Sequence, residues 1–231
     1  MAEANGRRHA LLALDTATNK AVVALGARDG TRLAETWWLP GFRHGETLLP
    51  TIRRVVSENN FRLSRIVAVI VGTGPGAFTG LRVGLATAKG LAVGLSRPIV
   101  GVSTAAALLD AAARELGHPA PPLALLVPAG PSDRVLVNEG TATLLPGGTE
   151  PELPPGTGLV AVDLDGRAPS DAVELGGAAV AALGSALVRL GAARFAERGG
   201  DDLAALVPDY VTLPRGVARV EGEIAWSHGR P

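Results

Sequence analysis

The sequence predicts an α/β fold built as two small lobes, the second smaller than the first and partly degenerate. Three observations carry that reading. Short β-prone apolar runs alternate with helical patterns along the chain. At 231 residues the chain exceeds the roughly 100 to 150 residues at which domain sizes peak, yet it is short for two large independent cores. Hydrophobic residues make up 47% of it against 19% charged, so enough apolar surface exists to offset chain entropy. With aromatics at only 3%, the core has to be built from small and branched aliphatic side chains at close backbone distance. Lobe one is placed at residues 1–105 and lobe two, with a C-terminal tail, at 106–231, the last segment being free to return to lobe one.

Lobe one opens with β-prone runs at 9–14, 21–27 and 32–39, separated by the polar turn from Asp15 to Lys20 and by Asp29-Gly30. Such spacing predicts an antiparallel meander. From Glu46 onward Leu48, Leu49, Ile52, Val55 and Val56 recur at helical spacing, with Arg53, Arg54 and Glu58 on other positions and Pro50 near the first turns; this is an amphipathic helix. Residues 66–72 (IVAVIVG) are apolar on both alternating sets, as in a strand covered on two faces. The segment GTGPGAFTGLR leads into a helix over 79–95. On it Gly80, Gly84, Ala88 and Ala92 fall every four residues, a stripe of minimal side chains against which something packs closely. After Pro98 come a strand at 99–102 and an Ala-rich helix at 104–116 that stops at Gly117-His118-Pro119. Five strands flanked by helices result.

In lobe two, strands are expected at 123–127, 134–138, 141–145 and 159–162, with a long Pro- and Gly-bearing loop at 146–158. One helix is expected over 171–197, then a strand-like run at 210–213 and a polar tail. No internal repeat stands out.

Composition excludes several functions. There is no cysteine, so disulfides, thiolate zinc sites and cysteine nucleophiles are ruled out, and the expected location is the cytoplasm. Acidic and basic residues balance at 22 each, which removes the broad positive field that binds a phosphate backbone. The N-terminal apolar run before Asp15 is too short for a secretory signal, so the first residues read as a ragged tail entering a strand. The weakly polar stretches 79–95 and 172–188 fall short of the roughly 20 residues a spanning helix needs, and no membrane segment is expected.

Three stretches, Leu11-Leu-Ala-Leu-Asp15-Thr-Ala-Thr, then IVAVIVGTGPGAFTGLRVGLATAKGLAVGL, then Ile99-Val-Gly-Val-Ser103-Thr, together resemble the TsaB (YeaZ) family. Arg43-His-Gly-Glu-Thr-Leu-Leu-Pro50 and Pro208-Asp-Tyr210 add to the likeness. The resemblance implies an actin-like, sugar-kinase-like (ASKHA) fold, and a role as the non-catalytic partner and activator of the paralogue TsaD. TsaD transfers threonylcarbamoyl to adenosine 37 of tRNAs reading codons that begin with A, and the ATPase TsaE joins the complex. By the same likeness, tRNA would be reached only through the complex, and a homodimer is the alternative state when TsaD is absent. The sequence departs from the family in lobe two. Relatives often carry an Asp-Ala-Arg and Glu-Val-Tyr hairpin where this chain has Pro128-Ala-Gly-Pro-Ser-Asp133-Arg-Val-Leu, which puts any lobe-two site in doubt.

Asp15 and Thr16 stand at the end of a central strand, where kinase-like relatives hold a phosphate or its metal ion; a carboxylate capping its own turn is the alternative. Gly72, Gly74, Gly76 and Gly80 let backbone amides converge before a helix, which suits an anion. No Gly-Lys-Ser/Thr follows, so a rigid elbow shaped by Pro75 and Phe78 is the other reading. Asp15, Thr16, Gly74 and Gly76 are therefore the nucleotide-binding candidates. The expectation is that this chain binds no cofactor alone, with ATP or ADP left open at the complex interface. Arg82 suits a phosphate or a partner carboxylate. Asp163 and Asp165, and Gly176-Gly177, invite comparison with phosphate and adenosine contacts of that fold, against ordinary turn and packing chemistry.

The four histidines, His9, His44, His118 and His228, show no pair at the three-to-five-residue spacing that presents two imidazoles to a metal. Two functions are weighed: a binding module, and an ATP-binding phosphotransferase-like enzyme, the missing metal pair arguing against a metallopeptidase. For the module, His44, Leu48, Leu49, Ile52, Val56, Arg82, Val83, Thr87 and Leu91 are the expected partner contacts.

Overall fold

The computed structural model describes residues 9–41 and 43–211, together with the strands Val217–Val220 and Glu223–Trp226. Three strands, β1 (Ala10–Asp15), β2 (Ala21–Gly26) and β3 (Arg32–Trp38), form the expected antiparallel meander. β4 (Ile66–Gly72) lies parallel to β1, and β5 (Ile99–Val102) parallel to β4, giving the order β3-β2-β1-β4-β5. Every residue of β1, β2 and β4 is buried, which is what a run apolar on both alternating sets requires.

Helix α1 (His44–Glu58) buries Leu48, Ile52, Val55 and Val56 against one face of this sheet. Beside it, α2 (Phe78–Leu95) buries Gly80, Leu81, Gly84, Leu85, Ala88 and Ala92. The small stripe therefore packs on the chain's own sheet at all four positions. A Cβ on Gly80 would run into the Thr16 carbonyl and one on Gly84 into the Thr16 hydroxyl. The stripe is what brings α2 close to the end of β1. Ser96 ends the helix in a left-handed conformation, with its N–H and that of Arg97 bonded to the carbonyls of Val93 and Ala92.

Helix α3 (Thr104–Leu116) carries the chain to a second sheet of β6 (Leu123–Pro128), β7 (Arg134–Asn138), β8 (Thr141–Leu145) and β9 (Gly158–Ala161), in the order β8-β7-β6-β9. Its meander and its parallel β9 repeat the arrangement β3-β2-β1-β4. The connection to β9 is the loop at 146–157, where lobe one has α1. This is the actin-like, two-lobe α/β fold, with lobe two reduced. The repeat escapes sequence reading because only its hydrophobic spacing is shared.

One expectation is corrected. The single helix over 171–197 is two, α4 (Ser170–Ala181) and α5 (Leu183–Arg198), bent by 60°. Each half answers a different surface. Gly176 brings α4 against the backbone of Ala161 in β9, whereas Gly191 of α5 sits on Ile70 of β4. An unbroken helix cannot follow both. Helix α5 covers the second face of the first sheet and shares one core with α3, α4 and the inner face of the second sheet. At its start, Gly184 N–H donates to Glu35 of β3 at 3.2 Å.

Tyr210 and Val211 are not in a strand; the rest of the expected run to 213 and the ragged N-terminal tail lie outside the described residues. Strands β10 (Val217–Val220) and β11 (Glu223–Trp226) pair as a hairpin where a polar tail is expected. Among the described residues no single helix is long and apolar enough to cross a membrane.

Replacing Ala88, which is fully buried, with Leu should lower stability by about 1–3 kcal/mol through overpacking. Thermal denaturation would show it as a fall of several degrees, and an unchanged melting temperature would contradict the inward-facing stripe.

Candidate functional site

The nucleotide-binding candidates do come together, at an elbow where β1 and β4 end. The Asp15 carboxylate is fully buried there. Its Oδ1 accepts the Ala17 N–H at 2.7 Å and its Oδ2 the Thr104 hydroxyl at 2.6 Å. The Thr104 oxygen in turn accepts the Gly74 N–H at 3.0 Å. Thr16 donates its hydroxyl to the Gly80 carbonyl at 2.7 Å, and the Ala77 N–H donates to the Ala17 carbonyl at 2.7 Å. Only glycine fits at Gly72, where a Cβ would enter the Asp15 carboxylate, or at Gly76, where it would stand 2.7 Å from the Ala17 Cβ. Gly74, at φ +107°, adopts a conformation other residues avoid. Groups that could hold a phosphate are thus bonded to one another.

Burial pushes the Asp15 carboxyl up to about 6, although the bonds from Thr104 and Ala17 favour its charged form. Asp163 is also raised, by burial first, while its bond from the Asn19 N–H at 2.7 Å pulls the other way. That bond ties lobe two to the turn after β1. Asp165 and Gly177 are exposed, and Gly176 is a packing position.

A cleft of about 690 Å³ opens between the elbow (75–78), the lobe-two turn (127–133) and the returning segment Asp209-Tyr210-Val211. Its ionisable lining is Asp133, Asp209 and Tyr210, an environment that repels phosphate. Phe78 and Tyr210 stack with centroids 5.0 Å apart, and the Arg82 guanidinium lies 5.1 Å from the Phe78 ring. Arg82 is thereby attached to the aromatic pair at the cleft mouth. The Asp209 N–H donates to the Thr73 carbonyl at 2.8 Å, and the Thr73 hydroxyl to the Asp209 carboxylate at 2.7 Å, so the C-terminal segment pins the elbow.

The expected partner contacts divide. Leu48, Ile52 and Val56 are core residues beneath the first sheet and cannot meet a partner in the folded chain; the helical apolar stripe marked the inward face. Leu49 is 46% exposed, and Arg82 is exposed. Val83, Thr87 and Leu91 are half-buried along one side of α2. His44 is half-buried, with Nε2 closed off beside Gly80 and without a hydrogen-bond partner. Burial pulls its pKa down, keeping it neutral near pH 7. Val93, 63% exposed, was not expected on this surface, although its place three turns from Arg82 could have flagged it.

Sequence reasoning also missed Thr104 as the partner of Asp15. The signal was the Ser103-Thr104 pair at a helix start, where one hydroxyl caps the helix, as Ser103 does by accepting the Ala106 N–H, and the other is free to turn inward.

Three comparisons bear on this site. The sequence profile of a family described as "TsaD: tRNA N6-adenosine threonylcarbamoyltransferase" matches residues 41–150. The tRNA threonylcarbamoyladenosine biosynthesis protein TsaB of Escherichia coli K12 is 39% identical over 107 residues, 46% of this chain and 46% of that protein. Its Haemophilus influenzae namesake is 39% identical over 103 residues, 44% and 42% of the two chains. The aligned part thus spans less than half the length of these curated relatives. The solved structure of YeaZ from Pseudomonas aeruginosa superposes with a TM-score of 0.66 at 25% identity, covering 88% of this chain and 100% of that one.

The buried carboxyl predicts a pH dependence. Its folded value of about 6 lies above the ordinary 3.8, so its stabilisation is fully present below about pH 4 and is lost as pH rises through 6, by roughly 3 kcal/mol in all. Asp15→Asn should remove that loss. Denaturant melts of both proteins from pH 4 to 7.5 should diverge in the variant's favour, and parallel profiles would refute the assignment.

Proposed function

We propose that this chain, which belongs to the TsaB (YeaZ) family, acts in the biosynthesis of tRNA threonylcarbamoyladenosine as the non-catalytic partner of a TsaD-type transferase. Its task is to dock to that enzyme and hold it in its active form for modification at adenosine 37, with a TsaE-type ATPase completing the assembly. The observation that carries the non-catalytic part is the sealed elbow. Asp15, Thr16 and Gly74 spend side-chain or amide groups on Ala17, Gly80 and Thr104, and Gly76 is pressed against Ala17. Nucleotide, where it acts, belongs to the assembled complex.

Docking falls to the outer side of α1 and α2. Leu49 is exposed on α1, and Val83, Thr87 and Leu91 are half-buried along one side of α2, apolar positions of the kind that the centre of a protein interface, about 800 Å² per partner, buries. In the absence of TsaD a second copy of this chain is the competing occupant. The balanced charge of 22 acidic and 22 basic residues leaves the grip on tRNA to another subunit, and the setting is the cytoplasm. The rival reading, an ATP-binding phosphotransferase, is favoured only by the presence of a cleft between the lobes, whose acidic lining suits phosphate poorly.

Reconstitution with purified TsaD- and TsaE-type proteins, ATP, tRNA and supplied threonylcarbamoyl-adenylate, whose AMP leaves as the group is transferred, tests the role. The chain alone should form no product, and its addition should raise product formation by TsaD; product without TsaD, or no effect on it, would overturn the proposal. Leu49→Asp places a charge on this face and should weaken TsaD binding tenfold or more, about 1.4 kcal/mol, with normal melting. Normal melting with unchanged affinity removes this face from the account.

A further inference from the structure

Position 134 faces the outer side of the second sheet together with Leu136, which is buried in that side's apolar cluster, yet it holds an arginine only 6% exposed. Buried guanidinium groups ordinarily lie against a carboxylate. Among the described residues neither Arg134 nor its neighbour Arg167 forms a salt bridge. Their acceptors are all main-chain carbonyls. Arg134 donates to Arg167 at 3.0 Å and to Thr149, while Arg167 donates to Pro131 at 2.7 Å, Gly130 at 3.2 Å and Asp133 at 3.3 Å. The Arg167 Nε is buried without a partner.

Carbonyl dipoles fix the orientation of the two forks but bring no negative charge. Two cations consequently stand side by side at the wall of a pocket of about 510 Å³, whose remaining lining is Ser132, Gly147, Gly148 and Glu150. Glu150 is exposed and is not within 4.0 Å of either guanidinium nitrogen. Gly148, at φ +84°, has open space where a side chain would be. We infer that this pocket on lobe two is a binding site for a small phosphate group, held by the guanidinium N–H groups of Arg134 and Arg167 that the carbonyls leave unused; at its edge the Ser132 hydroxyl and the Gly147 N–H donate to the Asp133 carboxylate at 3.2 and 3.0 Å. A guanidinium fork matches phosphate oxygens in geometry as well as in charge. The site borders the acidic cleft, with which it shares Ser132, and does not rest on the docking role. With no basic excess in the chain, the positive field is local to the pocket, which favours a small phosphate over an extended polyanion.

Arg134 also straps the 146–157 loop through Thr149, so its removal alone would confound binding with folding. The test therefore uses the full chain, ¹⁵N-labelled, titrated with inorganic phosphate against sodium chloride at equal ionic strength. Saturable shifts of the Ser132 and Gly148 amides and of the Arg167 Nε–H are expected with phosphate only. Glu150→Gln, which removes the one acid of the lining, should tighten binding severalfold. Arg134→Lys, which keeps the charge and loses the fork, should weaken it about tenfold, with melting temperatures confirming both variants as folded. Adenosine monophosphate and a short single-stranded RNA form two further arms. Tighter binding of the RNA, weakened by the same Lys substitution, assigns the phosphate to a nucleic acid backbone, and preference for the monophosphate assigns it to a small molecule. No saturation by about 10 mM phosphate, shifts shared with chloride, or identical affinity in both variants would overturn the site.

Discussion

A carboxylate sealed from water has to be answered from within the chain, and the bonds to Asp15 organise everything around it. Its two oxygens are held by Ala17 and Thr104, which fastens the end of β1, the turn after it and the start of α3 into one point. Through Thr104 the same point takes up the Gly74 amide. The glycines of the elbow follow as a consequence, since Gly72, Gly76 and Gly80 each stand where a side chain would strike the carboxylate or the turn that carries it. Charge desolvation is thus converted into geometry: the knot is tolerable only because four backbone segments approach one another more closely than side chains would permit.

The same economy runs through the whole molecule. With few aromatic residues, both sheets are covered by helices set close on Gly and Ala, as Gly84 on the Thr16 hydroxyl and Gly176 on Ala161 show. Close approach places the turn after β1 near lobe two, where the Asn19 amide reaches Asp163, and lets α5 lie across the first sheet. The two lobes are consequently one packed body with a shared core.

Most elements were legible in the sequence because each carried a local signal. IVAVIVG could only be a doubly covered strand, and Pro98 and Gly117 bounded their helices. What was not legible depended on distant partners. The break at Ala182 reflects two packing surfaces far apart in sequence, and no residue there forbids a continuous helix. The apolar stripe of α1 announced burial without saying against what, so Leu48, Ile52 and Val56 read equally well as an interface or as a core. At the elbow, the glycines and turn chemistry group Asp15, Thr16, Gly74 and Gly76, but whether the Gly74 amide is open or spent depends on Thr104, nearly ninety residues from Asp15. Arg134 carries little signal, a charge at the first residue of β7, which only burial makes meaningful.

The account turns on whether the elbow is closed by its own chain. Calorimetric titration of Mg-ATP and Mg-ADP into the isolated protein measures this directly, with Thr16→Val and Thr104→Val as companions. A closed elbow predicts no saturable heat for either nucleotide up to about 1 mM, a binding free energy weaker than about −4 kcal/mol. Saturable binding below that concentration, lost on substituting Thr16 or Thr104, would contradict it and return the elbow to the role of a phosphate loop.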